Sequence, residues 1–145
     1  MSTNKQTFEN LLKIGQIKAE PFIQAEFDGL TRAAQRKLKD ASNLTLSIDS
    51  RFDLAYNAAH ALALAALRKT GHRSENRYLV FQLLELTAGL PPASWRIFAM
   101  AHQKRNMAEY EGITEIESSL LEALLNSTEQ LSRAICQSSS LKHPT

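Results

Sequence analysis

The chain of 145 residues carries a single cysteine, Cys136, so no internal disulfide is available and a reducing compartment is the default expectation. Its four histidines, His60, His72, His102 and His143, are too scattered for a zinc site, and nothing in their spacing calls for a metal or a cofactor. Glycine (5 residues) and proline (4 residues) are sparse, which excludes collagen-like and low-complexity chains and leaves each of them as punctuation between elements. The longest apolar run, Ala58 to Leu67, is interrupted by His60 and is far too short to span a bilayer. Residues 1–10 lack the basic-then-apolar order of a signal peptide, so the expected location is cytoplasmic, with no membrane partner. No stretch alternates β-branched and polar residues, so strands are not expected.

What remains is an ordinary globular composition, 43% hydrophobic and 22% charged, with a net charge of +2. The charge is unevenly spread. Residues 1–50 carry +1, residues 51–105 carry +5 and residues 106–145 carry −4. Arg51, Arg73, Arg77, Lys104 and Arg105 contribute to the basic excess; gathered on one side they would attract phosphate, and dispersed they would form a solvated surface.

Apolar periodicity predicts helices throughout. A short first helix over about residues 5–17 buries Phe8, Leu11, Leu12 and Ile14 and ends at Ala19-Glu20-Pro21. The second runs from near Pro21 to about Ser42 with Phe22, Ile23, Phe27, Leu30, Ala34 and Leu38 inside. The third starts around Ser47 and stops at Gly71, apolar nearly all round and therefore central. Only Asp53, Asn57 and His60 form a polar stripe along it, either completing a functional site or lining a subunit interface.

The fourth helix, about residues 76–88, buries Tyr78, Leu79, Phe81, Leu83 and Leu86 and ends at Gly89, with stacking of Tyr78 on a base beside Arg77 as the alternative to its burial. Pro91-Pro92 opens the fifth, which stops at Gly112. Thr114 and Glu117 have capping-box spacing for the last, whose core is Leu120, Leu121 and Leu124, with residues 138–145 a frayed tail. Short connections between such helices predict one domain over residues 1–145: an all-α, antiparallel up-and-down helical bundle of four core helices with short flanking ones.

The fifth helix carries the feature closest to chemistry. Its Trp95, Phe98 and Ala99 face is continued by His102, Arg105, Asn106, Glu109 and Tyr110, so ionisable groups follow the apolar stripe instead of facing away from it. Arg105 and Glu109 also have the spacing of a surface ion pair, and Tyr110 that of an amphipathic packing residue.

Tyr56-Asn-Ala-Ala-His60, running on to Gly71, resembles the second core helix of the HEPN family, the higher eukaryotes and prokaryotes nucleotide-binding domain. Arg105-Asn106-Met107-Ala108-Glu109-Tyr110 resembles that family's signature, an arginine usually followed by a polar residue, with a histidine about four to six residues beyond. Here Tyr110 stands where the histidine is expected. The resemblance covers roughly residues 47–137 and implies a homodimer with the two motifs facing each other. It further implies either a metal-independent endoribonuclease of a toxin–antitoxin, defence or mobile-element system, with an antitoxin as partner, or a non-catalytic module that binds nucleotides or docks a nucleotidyltransferase or a toxin.

Carried onto this chain, Arg105 would hold phosphoryl oxygens through its fork of donors, Asn106 would orient phosphate or ribose, and Tyr110 would need a nearby cation to act as a base. His102 is the imidazole on the same arc suited to acid–base work. Lys104, Glu109, Asp53, Asn57 and His60 complete the candidates for support or RNA contact.

Overall fold

A computed structural model describes residues 2–112 and 115–141. The elements run α1 (Ser2–Lys13), β1 (Lys18–Ala19), α2 (Gln24–Ala41), α3 (Ile48–Lys69), β2 (His72–Arg73), α4 (Arg77–Gln82), α5 (Leu84–Thr87), α6 (Pro92–Glu111) and α7 (Ser118–Leu141). The expected all-α bundle forms around α3, which touches every later helix as well as α2.

Local chemistry explains why α3 occupies the centre. Ser47 caps it by accepting from the Ser50 amide at 3.2 Å, and Gly71 at φ +85° turns the chain away where a side chain would be strained. Between these ends Ala55, Ala58, Ala59, Ala63, Ala65 and Ala66 are all buried, so neighbouring helices approach closely on several sides. Leu62 and Leu67 fill the remaining space at zero exposure. Each such leucine contributes about 2–3 kcal/mol by the area it removes from water.

Contacts fix the directions of the core helices. Arg51 Nε donates to Ala41 O at 2.8 Å at one end of α2 and α3, and Arg68 meets Glu26 at the other, so the two are antiparallel. Helices α6 and α7 are antiparallel as well, since Ser94 Oγ bonds Gln130 at 3.1 Å and Lys104 approaches Glu117 at 4.0 Å. The short α4 and α5 bridge α3 to α6. Among the described residues no helix is long and apolar enough to cross a membrane.

Several sequence expectations need correction. A two-stranded antiparallel sheet exists, pairing Lys18 with Arg73 and Ala19 with His72, although no strand signal precedes it. Helix α1 ends at Lys13 because Gly15, at φ +74°, turns the chain; Ile14 is 68% exposed and Ile17 takes its place in the core.

Helix α2 starts at Gln24, not near Pro21, leaving Phe22 and Ile23 ahead of it and exposed. The cause is the buried guanidinium of Arg68, whose nitrogens donate to Glu26 Oε1 (2.7 Å), Glu20 O (2.8 Å), Pro21 O (2.5 Å) and His72 O (3.3 Å). Arg73 pairs with Glu20 at 2.6 Å and with Glu26, closing the network. These bonds hold residues 18–23 extended across the end of α3.

The expected fourth helix divides at Leu83 into α4 and α5, with an i to i−3 bond from Leu86 N to Leu83 O tightening the joint. Tyr78, expected inside, is 37% exposed. Gly89, Pro92 and Gly112 do delimit their helices as read. Thr114 lies outside the described residues, and Glu117 precedes α7 instead of occupying its first turn. Helix α7 continues to Leu141, past the Ser138 where the tail was expected to fray.

Candidate functional site

Where α3, α4 and α6 meet, Tyr56 is fully buried with its hydroxyl 2.9 Å from Nδ1 of His102. The other ring nitrogen, Nε2, lies 3.3 Å from Nδ2 of Asn106, one turn along α6. With the amide in this orientation Asn106 donates to Nε2, so a neutral His102 ring carries its proton on Nδ1 and donates to the tyrosine oxygen. Two guanidiniums stand over the same phenol ring: Arg105 at 5.1 Å and Arg77 at 5.8 Å from its centroid.

Positive charge is therefore concentrated beside imidazoles. Burial first, then Arg105 and Arg77, holds His102 below the ordinary histidine pKa. His60, one turn beyond Tyr56 on α3, is pushed down to about 4, again by burial first and then by Arg77, His102 and Arg105. Both rings are neutral at pH 7 and can accept or donate a proton without first losing a charge. Nε2 of His60 and Nη1 of Arg77 are buried with no hydrogen-bond partner among the described residues. Packing two cations at a buried polar cluster costs free energy unless an anion comes to meet them.

On the solvent side of Arg105 an open cleft of about 210 Å³ is lined by Asp53, Arg105, Ala108 and Glu109. Glu109 pairs with Arg105 at 3.6 Å, an exposed i, i+4 contact of small energetic weight. A slightly larger cavity, about 250 Å³, lies by the two-stranded sheet, but its Arg73 is already neutralised by Glu20 and Glu26. Arg77 has no carboxylate partner among the described residues, which makes the α3–α4–α6 cluster the better anion site.

Of the residues singled out in the sequence, His102, Arg105, Asn106 and His60 come together here. Asp53 and Glu109 border the cleft, and Asn57 is half-buried on the same helix as Asp53. Lys104 turns instead toward Glu117, and Tyr110 lies outside the cluster, 81% exposed. The basic residues of the middle segment do not all converge: Arg51 binds a backbone carbonyl, Arg73 binds carboxylates, and only Arg77 and Arg105 meet.

Tyr56 and Arg77 are the members that the sequence reading did not place in the site. Tyr56 had a usable signal, since at about 100° per residue it lies on the arc of Asp53, Asn57 and His60. Arg77 was legible only as one of the basic residues of the middle segment, because its place beside Tyr56 depends on how α4 folds back onto α3. Among the described residues no group of three or more His, Cys, Asp or Glu is arranged to hold a metal. Comparison of the chain with family models, with curated proteins and with solved structures gives no match.

Proposed function

We propose that this protein is a HEPN-like RNA-binding bundle that works as a homodimer and engages the sugar-phosphate backbone through Arg105, Arg77, His102 and Asn106. The observation that carries the reading is the convergence of two guanidiniums on the buried Tyr56 ring beside an imidazole held neutral. Arginine forks match phosphoryl oxygens, and a neutral imidazole is the group that metal-independent cleavage needs to move the ribose 2′ proton, once Asn106 turns its amide from Nε2 to the ligand. The Arg105-Asn106 resemblance points the same way. Cleavage within a toxin–antitoxin, defence or mobile-element setting is the finer part of this proposal.

The test is RNA binding and cleavage in EDTA. Arg105→Ala is expected to weaken binding about 10-fold or more, the worth of a charge-assisted hydrogen bond to phosphate, and to abolish any cleavage. Binding and cleavage both unchanged in that variant would remove the proposal.

A second reading is favoured by the outer face of α6. Met100, Met107 and Tyr110 are exposed there, at 54%, 39% and 81%, on the side of the helix away from Phe98 and Ala101. That face suits docking to a nucleotidyltransferase or a toxin by a non-catalytic bundle, and Tyr110 in the place of a histidine fits such a role. Met107→Glu separates the two: loss of a co-purifying partner with RNA binding unchanged supports the docking reading, and loss of RNA binding contradicts it.

A further inference from the structure

The cluster uses α6 for the residues already assigned, yet α4 brings two more that fit a strand of RNA. Arg77 and Tyr78 are its first two residues, about 100° apart around the helix axis. Arg77 stands over Tyr56 as Arg105 does, has no carboxylate partner among the described residues, and leaves Nη1 unpartnered. Tyr78 keeps its ring beside His102, centroids 5.9 Å apart, while 37% of the residue stays open to solvent. A cation with unused donors next to a half-exposed aromatic ring is the combination that holds one nucleotide of an unpaired strand.

We infer that Arg77 and Tyr78 form a second nucleotide subsite, with the guanidinium taking the phosphate adjacent to the one at Arg105 and the phenol ring stacking on an unpaired base. The inference rests on the RNA-binding reading above and adds to it a strand type and a minimum length. Stacking on Tyr78 requires a base out of its duplex, so the ligand is single-stranded. Two phosphates must be present in one molecule, which inorganic phosphate and a mononucleoside monophosphate do not supply. The carboxylates of Asp53 and Glu109 border only the Arg105 side, so they do not oppose the phosphate at Arg77.

The experiment measures the affinity of the full chain for a short single-stranded RNA across a salt series, beside the duplex of the same sequence and a mononucleotide. For a single strand, the slope of log K against log salt falls by about 0.7 for every phosphate the protein no longer neutralises. Arg77→Ala is expected to lower it by that amount, and Arg77→Lys to restore most of it. Tyr78→Ala is expected to weaken binding about 10-fold with the slope unchanged, and Tyr78→Phe to bind as the native protein does. Both side chains are partly exposed, and a thermal melt of each variant confirms folding.

Full retention of affinity and slope in either alanine variant, while Arg105→Ala weakens binding, overturns the subsite and leaves the RNA reading standing. Equal affinity for duplex or mononucleotide also overturns it. No RNA binding by the native protein, or none that depends on Arg105, overturns both.

Discussion

His60 interrupts the apolar run of α3 from Ala58 to Leu67, with Arg77, His102 and Arg105 as the titratable neighbours that most affect it, and so acid acts on the fold through it. Its pKa is about 4 in the folded chain against an ordinary 6.5, so between those values the unfolded chain takes up a proton that the folded chain refuses. Stability from this group is complete above pH 6.5 and is lost as the pH falls toward 4. At pH 5 the loss is about 2 kcal/mol, an upper value. Urea unfolding at pH 7.5 and pH 5 is expected to show the native protein weaker at pH 5, and His60→Leu to remove much of that difference. An undiminished difference in the variant would place the proton elsewhere. His72 and His102 are lowered in the same sense by their burial, whereas Glu26, held low by its hydrogen bond to Arg68, acts at pH values below its ordinary 4.5. The sequence made His60 visible as a polar interruption in an alanine-rich run. Its neighbours were not legible, because Arg77 reaches it from another element.

Helix α3 is held at its C-terminal end by one arginine. Arg68 is completely buried, and its donors are matched by Glu26 and by carbonyls of Glu20, Pro21 and His72. Arg68→Ala would leave Glu26 without its main partner and free residues 18–23, at an expected cost of about 3–5 kcal/mol measured by denaturant unfolding. A cost below about 1 kcal/mol would mean that the network is dispensable. Helix ends set by nearby residues were readable in advance: Ser47 and Gly71 bound α3, and Pro92 and Gly112 bound α6. The start of α2 and the small sheet were not readable. They follow from Arg68 and Arg73 meeting Glu20 and Glu26 across about fifty residues of chain, and no local propensity encodes that meeting. The break at Leu83 has no glycine or proline to announce it either.

Taken together, the bundle has a cationic cluster between α3, α4 and α6 and, on the outside of α6, an exposed mixed face of Met100, Met107 and Tyr110 with Arg96 and Gln103. The proposed homodimer, with its two Arg105 motifs facing each other, uses the opposite side of α6. Met107→Glu is therefore expected to leave the native dimer intact in light scattering after size-exclusion chromatography; a monomeric variant, or a monomeric native protein, would contradict that arrangement. The uneven charge along the chain indicated that basic groups gather in the middle segment, but only the fold shows that Arg77 and Arg105 share the Tyr56 ring while Arg51, Arg73 and Lys104 lie elsewhere, the first on a carbonyl and the other two beside carboxylates.

A bound phosphate would oppose the field that keeps the imidazoles neutral, so His102 reports directly on the cluster. NMR titration of its ring resonances, with and without a short single-stranded RNA, is expected to place its pKa below 6.5 in the unliganded protein and to move it upward when RNA is added. An ordinary value in the unliganded protein that RNA leaves unmoved would contradict the account.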